Sequence, residues 1–243
     1  MKMLNLNSFT KLGLFIYIII YLIFPKLAIT QNTNVDIRKN LENALNTRNY
    51  KLLKNFFIEE ESLKIQKKFK DLIKDFPNSK WEIKRLSGLN PKEKIFEIKV
   101  NGKKIVNGEI YFLESNFKYL FSTQKDKINN GNIKNILTTI RNDQNKIDIT
   151  FRIPEKVLTG TKYDIDIILN EPLGDVIIAG GIISHQDESY LKQNINIEPL
   201  ASGGIFKTTR ASSKPSTEIW SGIITHPEGT ISFTKSVEIV ENI

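Results

Sequence analysis

The feature that most constrains this chain is a change in the spacing of its apolar residues near Pro77. Before Pro77, apolar residues recur every three or four positions, which predicts helices with one buried face. After Lys80 they alternate with polar residues, which predicts β-strands. Because the alternation continues nearly to the end of the 243-residue chain, we expect a helical segment followed by many strands.

The helical segment spans residues 35–76 and divides into three predicted helices. A first helix has one apolar face, and a short second helix covers residues 49–57. The third ends before Pro77, which cannot continue a helix. The apolar stripes of the first and third helices are Ile37, Leu41, Ala44 and Leu45, and Ile65, Phe69, Leu72, Ile73 and Phe76.

Residues 80–140 predict four or five antiparallel strands. Asn101–Gly102 favours a hairpin turn, because this dipeptide accommodates positive φ angles. A tight connection is expected at residues 114–116, and residues 129–140 predict a turn with a closing strand. Helices followed by such a sheet indicate an α+β domain in which a curved antiparallel sheet wraps around its helices.

Residues 141–146 are polar and without pattern, so we place a domain boundary there, between domains 31–143 and 144–243. The net charges differ accordingly, at +9 for the first domain and −4 for the second. Short strands with regular turns predict that the second domain is an all-β, immunoglobulin-like sandwich. The seven expected strands are 147–153, 163–169, 176–183, 194–199, 204–210, 217–225 and 230–240.

Residues 1–30 have the pattern of a signal peptide or membrane anchor. Lysines precede an uncharged apolar run at residues 12–24, and this run is shorter than the roughly 20 residues of a membrane span. Ala28 and Thr30 occupy the positions expected before a cleavage site at Gln31. We therefore expect export, with an uncleaved leader acting as an anchor as the alternative.

The stretch EPLGDVIIAGG at residues 171–181 superficially resembles a phosphate-binding loop. A phosphate-binding P-loop requires a lysine and a serine or threonine after its second glycine, and this stretch continues with Ile182 and Ile183 instead. We expect a turn, a buried strand over residues 176–179, and a bulge or close backbone approach at Gly180–Gly181.

Few residues here have the chemistry of a catalytic or metal site. The chain has no cysteine, which excludes thiolate catalysis and zinc–thiolate sites. Its two histidines, His185 and His226, are expected in solvated turns. His185 with Asp187 and Glu188 is the one trio worth testing for a metal, and we expect neither a metal nor a cofactor.

Lysines concentrate on the outer face of the third helix, at positions 64, 67, 68, 70 and 74. Such a face attracts anionic lipid or an acidic partner, although a solvated surface is the simpler interpretation. Export argues against a nucleic-acid partner. Association with a membrane, peripheral or through the anchor, therefore remains an alternative.

A curved sheet on helices forms an apolar cone, and aromatic residues on alternating strand positions are candidates for its lining. The candidate ligand-binding residues are Trp81, Phe96, Phe112 and Tyr119. Catalysis in such a cone requires a general base. Tyr111 and Tyr119 are potential donors without an evident partner, and we assign no catalytic residue.

The segment LENALNTRNYKLLKNFF, the proline-terminated helix and the later strands resemble the nuclear transport factor 2-like superfamily, whose cone-shaped fold ketosteroid isomerases also use. This resemblance covers residues 33–143 and implies that fold there. The superfamily's catalytic Asp and His match no position of this sequence. Residues 147–243, with GGIFKTTRA and THPEG, resemble the second half of uncharacterised cyanobacterial exported proteins, which implies the periplasm or thylakoid lumen.

These observations predict that the chain is an exported, non-catalytic binding or accessory protein. Its N-terminal cone is expected to bind a small apolar ligand or a protein partner. The alternative is an isomerase- or hydratase-like enzyme with its site inside the cone. A buried acid beside Tyr111 or Tyr119 would favour the enzyme. The oligomeric state stays open, and a homodimer is one possibility.

Overall fold

In the computed structural model of the chain, the described residues are 37–87, 93–142, 147–170, 176–185, 195–200 and 203–242. The chain divides between Ile136 and Leu137 into two compact units. We call the described residues up to Ile136 the N-terminal unit and those from Leu137 onwards the C-terminal unit. The predicted leader at residues 1–30 lies outside the described residues.

The described part of the N-terminal unit contains three helices. They are α1 (Ile37–Asn46), α2 (Tyr50–Phe56) and α3 (Glu59–Asp75). Asn49 caps α2, since its side-chain oxygen accepts a hydrogen bond from the Leu52 backbone N–H at 3.2 Å. The predicted apolar stripes are largely buried, including Leu41 and Ala44 in α1 and Phe69 in α3. The three helices predicted over residues 35–76 are confirmed from Ile37, where the described residues begin.

Four strands follow the helices, in the spatial order β1-β2-β3-β4. They are β1 (Lys80–Leu86), β2 (Lys94–Val106), β3 (Glu109–Gln124) and β4 (Lys127–Arg141). Along β3, odd-numbered side chains from Tyr111 to Phe121 are buried, while the even-numbered ones are exposed or half-buried. The Phe69 ring of α3 contacts the Trp81 ring of β1, with 5.8 Å between centroids. The helices therefore cover this buried face.

Two turn predictions in this unit are wrong. The turn between β2 and β3 lies at Asn107–Gly108, where φ is 53° and 86°. β2 runs straight through Asn101–Gly102, and a Cβ on Gly102 would lie 3.1 Å from the Phe76 Cβ. Gly102 therefore admits the Phe76 side chain instead of forming a turn. β3 is also continuous through residues 114–116, where a tight connection was expected.

The C-terminal unit consists of strands and connecting segments in its described part. Its strands are β5 (Ile149–Arg152), β6 (Lys156–Leu158), β7 (Lys162–Leu169), β8 (Ala179–His185), β9 (Glu198–Pro199), β10 (Gly204–Arg210), β11 (Ser216–His226) and β12 (Gly229–Val240). One sheet has the order β10-β7-β5. In the other, β12 lies between β11 and the last residues of β4, and β8 and β9 continue the order beyond β11.

The two sheets of the C-terminal unit share one apolar core. Ile165 and Ile167 of β7 belong to the same buried cluster as Ile224 of β11 and Phe233 of β12. The Phe151 and Phe233 rings are in contact, with 5.1 Å between centroids. Residues 231–237 of β12 are buried on both faces of the strand, so this strand lies inside the unit.

The predicted strand at residues 176–183 begins later than expected. β8 starts at Ala179, and Val176 and Ile177 are 40% and 80% exposed. Buried strand is thus limited to the part that pairs with β11. The expected bulge at Gly180–Gly181 is absent, since both glycines continue the β8–β11 pairing without interruption.

The predicted fold class is wrong. The described part of the chain is mostly β, with three short helices near its start, and it is not a nuclear transport factor 2-like cone followed by a separate immunoglobulin-like sandwich. The strand expected to close the first domain shows why. Residues Leu137–Arg141 of β4 pair with Ile231–Lys235 of β12 and belong to the C-terminal unit. The proposed first domain therefore does not close on itself.

Candidate functional site

An open groove in the C-terminal unit is the candidate functional site. It is bounded by β8, the short strand β9 and β10, and we call it the β8–β10 groove. Its volume is about 530 Å³, which falls within the ~300–1,000 Å³ typical of small-molecule sites. The described residues that line it are Gly180, Gly181, Ile182, Asn196, Glu198, Pro199, Leu200, Gly204, Ile205, Phe206 and Lys207.

Glycine at position 181 lets the chain cross closely over β8. A Cβ built on Gly181 would collide with the backbone carbonyl oxygen of Asn196. A larger residue would therefore push the segment before β9 away from β8. The Gly180–Gly181 pair is explained by this close backbone approach, which is one of the two possibilities that the sequence left open.

Glycine at position 204 allows a second close backbone approach, on the opposite side of the groove. A Cβ there would collide with the carbonyl oxygen of Ile167 in the neighbouring strand β7. The preceding Gly203 has a φ of 70°, a conformation that glycine adopts without strain. The chain can therefore turn sharply into β10 and place Phe206 and Lys207 at the groove.

Among the described residues, two charged side chains line the groove, and their surroundings differ. Glu198 accepts a hydrogen bond from the Asn196 side-chain amide at 2.7 Å. Lys207 places its Nζ atom 5.4 Å from the centroid of the Trp220 ring. This distance fits a cation–π contact, which attracts the ammonium group without neutralising its charge. The groove thus offers a carboxylate with a neutral partner and an ammonium group over an aromatic face.

The Trp220 ring connects the groove lining to a buried polar network. The Trp220 indole N–H donates to the Tyr163 hydroxyl at 2.9 Å, and that hydroxyl donates to Glu218 Oε2 at 2.5 Å. All three side chains are buried. Burial, followed by the hydrogen bond to Glu218, raises the pKa of Tyr163 well above its ordinary value. The tyrosine therefore stays protonated and continues to donate to the carboxylate.

The four aromatic residues predicted to line a cone do not lie together. Trp81, Phe96 and Tyr119 are buried on one face of the β1–β3 strands. Phe112 lies on the other face, opposite Lys103, and is 40% exposed. Among the buried rings, Phe96 contacts Phe121 with 4.8 Å between centroids. Phe112 therefore cannot line the same cavity as the other three aromatic residues.

Neither tyrosine that was considered as a catalytic donor lies in the groove. The Tyr111 hydroxyl donates to Glu109 Oε2 at 2.7 Å, and Glu109 is an exposed residue at the start of β3. The Tyr119 ring stacks on Phe121 at 5.4 Å between centroids. Its hydroxyl occupies the space that a side chain on Gly131 would need. Tyr111 therefore has a carboxylate partner, but this partner is exposed. It is not the buried acid that would favour an enzyme.

The two histidines, which were both predicted to lie in solvated turns, differ in the structure. His185 is the last residue of β8 and is buried, so the expected solvated turn position is wrong for it. His226 ends β11, and its Nδ1 accepts a hydrogen bond from the Glu228 backbone N–H at 3.1 Å. Asp187 and Glu188 lie outside the described residues. Within the described part of the chain, no group of three or more His, Asp or Glu side chains is arranged to hold a metal.

Basic residues do occupy the outer face of α3. Lys67, Lys70 and Lys74 are exposed there. Elsewhere in the unit, burial and then the nearby charge of Arg85 lower the pKa of Lys94, while Asp126 opposes this shift. Of the helices in the described ranges, none has the length and apolar character needed to span a membrane.

Sequence reasoning missed the β8–β10 groove because its residues come from distant segments. The available signal was a set of glycines, at 180–181 and 203–204, within otherwise strand-like sequence. Such glycines mark close backbone approach. Which strands they bring together depends on pairing between residues that are far apart in the chain.

Similarity to known proteins extends over parts of the chain. A phenazine biosynthesis-related protein (phzb2) from Pseudomonas aeruginosa, known from a crystal structure, is 18% identical, with 44% of this chain and 82% of that chain covered and a TM-score of 0.28. No curated protein matches. The predicted resemblance to the nuclear transport factor 2-like superfamily is wrong, because the residues that the structure describes are mostly in β-strands, with three short helices. A domain of unknown function, DUF8623, matches residues 144–240.

Proposed function

We propose that this protein is an exported, non-catalytic binding or accessory protein whose ligand site is the β8–β10 groove. The observation that carries this proposal is a groove of about 530 Å³ that combines apolar walls with charged groups. Small-molecule sites have this size and combine apolar walls with a few polar groups that orient the ligand.

The groove is built on strands that are hydrogen-bonded to their neighbours, and this rigidity favours selective binding. β8 pairs along its whole length with β11, and β10 pairs along its whole length with β7. Ile205 of the groove lining belongs to the buried core cluster of the unit. A site built on paired strands holds its polar groups in fixed positions, which reduces the ordering cost of binding.

The polar network beneath the groove supports a binding role better than a catalytic one. Tyr163 and Glu218 lie in the core, and their hydrogen bond joins β7 of one sheet to β11 of the other. Their hydrogen bond stabilises the packing of the two sheets. Trp220, the third member, presents its ring to Lys207 and so gives the groove an aromatic support.

Export is the second part of the proposal, and it rests on the leader-like residues 1–30. The test is N-terminal sequencing of the protein recovered from its host. A mature chain that begins at Gln31 in the soluble exported fraction is expected. A chain that retains Met1 and stays in the membrane fraction would support the anchor instead.

The binding proposal is tested by native mass spectrometry of the full protein purified from its host. We expect wild type to carry a non-covalent small-molecule mass that is lost on denaturation. Phe206→Ser removes an exposed groove phenylalanine and should lower the occupied fraction. Phe112→Ser removes a similarly exposed phenylalanine of the N-terminal unit and should leave the occupied fraction unchanged. A wild-type protein without any bound mass would contradict the proposal.

A further inference from the structure

The two charged groups of the β8–β10 groove indicate the chemical class of its ligand, an inference that rests on the proposed binding function. Asn196 already donates a hydrogen bond to Glu198. For Lys207, the interaction recorded among the described residues is with the Trp220 ring, which leaves its charge unneutralised. Among the described residues of the groove, the hydrogen-bonding capacity left unused is therefore that of the Lys207 ammonium group, which an anionic acceptor would satisfy.

The position of Lys207 in β10 explains why its ammonium group lies at the groove. Lys207 pairs with Ile165, which is fully buried, so the Lys207 side chain starts on the core-facing side of the sheet. β10 is an edge strand of its sheet, and the side chain therefore reaches solvent past the edge. Its ammonium group ends over Trp220, which is 1% exposed.

Apolar side chains flank this ammonium group. Leu200 and Ile182 line the groove from the β8–β9 side. Phe206 precedes Lys207 in β10, lines the groove from the opposite face of this edge strand, and is 52% exposed. A side chain of this size leaves much apolar area in water, and a ligand that covers this area gains free energy from the burial. The described part of the groove thus presents apolar side chains close to the ammonium group of Lys207.

We propose that the β8–β10 groove binds a small carboxylate with an apolar chain. The carboxylate accepts hydrogen bonds from Lys207 Nζ, and the chain lies along Phe206 and Leu200. Because Trp220 contacts the same ammonium group, the bound carboxylate changes the environment of this indole. Binding should therefore alter the fluorescence of Trp220.

The test compares three probes that share one apolar chain and differ in the head group: octanoate, octanamide and octylamine. Affinities are measured by calorimetry at pH 7.5 on the full chain, with tryptophan fluorescence as a second readout. We expect wild type to prefer octanoate over octanamide by about tenfold, which corresponds to a charge-assisted hydrogen bond. Octylamine should bind most weakly.

Variants separate the role of Lys207 from general effects of charge. Lys207→Met should remove the preference for octanoate and leave octanamide binding within about twofold of wild type. Glu198→Gln removes the acid of the same groove and should strengthen octanoate binding by about two- to fivefold. Lys214→Met removes an exposed lysine outside the groove lining and should change neither affinity.

The outcomes distinguish this inference from the proposed function. Equal binding of octanoate and octanamide to wild type, weakened for both by Phe206→Ser, would overturn the carboxylate inference and retain the groove as a binding site. A preference for octanoate that survives Lys207→Met would also overturn it. If no probe bound and the protein from its host carried no ligand, the proposed function itself would fail.

Discussion

The side-chain amide of Asn46 in α1 forms two hydrogen bonds with the backbone of Trp81 in β1. Its nitrogen donates to the Trp81 carbonyl oxygen at 2.8 Å, and its oxygen accepts from the Trp81 N–H at 2.9 Å. One turn earlier in the helix, Glu42 accepts a hydrogen bond from the Ile83 N–H at 2.8 Å. Helix side chains thus bind the β1 edge as a neighbouring strand would.

The repeat distances of helix and strand explain this match. Four residues of an α-helix rise about 6 Å, and two residues of a strand rise about 6.6 Å. Glu42 and Asn46 therefore face Ile83 and Trp81, which lie two positions apart in β1. Because unpaired edge strands promote aggregation, α1 protects an edge that would otherwise be open.

We expect Asn46→Ala to lower the free energy of unfolding by about 1–2 kcal/mol, since it removes two hydrogen bonds to a strand edge. Urea denaturation monitored by circular dichroism measures this change. Asn43→Ala, at an exposed position of the same helix, is the control for helix propensity and should change stability by less than about 0.5 kcal/mol. Equal effects of the two substitutions would show that the edge contacts contribute nothing.

A second prediction concerns the two faces of the β1–β3 strands. Phe96 is buried in contact with Phe121, whereas Phe112 is exposed on the opposite face. Phe96→Ala should cost about 3–5 kcal/mol because it opens a cavity among packed rings. Phe112→Ala should cost less than about 1 kcal/mol. Thermal denaturation of both variants tests this, and similar losses of stability would refute the assignment of faces.

The contrast between Asn101–Gly102 and Asn107–Gly108 shows how far the sequence alone can predict this fold. The two dipeptides are identical, and both carry the local signal of a hairpin turn. The first lies inside β2 because Gly102 makes room for Phe76 of the helical segment, while the second forms the turn. The choice depends on a contact between distant residues, which local spacing does not encode.

The same distinction applies to the C-terminal unit. The strand predicted over residues 163–169 is confirmed as β7, and its alternation places Tyr163, Ile165 and Ile167 on one buried face. The pairing of β4 with β12 and the β8–β10 groove join residues about 20 to 100 positions apart. Strand register and strand order set these contacts, and neither follows from the period of apolar residues.

The buried network predicts a specific cost for Tyr163→Phe. This change leaves the Glu218 carboxylate without its donor and the Trp220 N–H without its acceptor. A loss of about 2–3 kcal/mol in the free energy of unfolding is expected. In the double variant with Glu218→Gln, the loss should be smaller than the sum of the single losses, because the two groups interact directly. Additive losses in urea denaturation would contradict the network.

The raised pKa of Tyr163 predicts the pH dependence of stability. A proton that is held more tightly in the folded state stabilises the fold below the unfolded pKa near 10, and this stabilisation is lost as pH rises beyond that value. Between pH 10 and 11 wild type should therefore lose up to about 1.4 kcal/mol more stability than Tyr163→Phe. Urea denaturation at pH 8, 10 and 11 measures the difference. Parallel losses in the two proteins would show that Tyr163 is not the responsible group.

The close approach at Gly181 predicts that even one methyl group is not tolerated there. In Gly181→Ala the new Cβ meets the Asn196 carbonyl oxygen, which belongs to backbone and cannot rotate away. A loss of about 3 kcal/mol is expected, together with weaker binding in the groove as β9 is displaced. Gly160→Asn is the matched control, because Gly160 has a φ of 69° with no atom within 4 Å of a built Cβ, and asparagine tolerates this conformation. Comparable losses of stability in the two variants would show that the Asn196 contact does not set the cost of replacing Gly181.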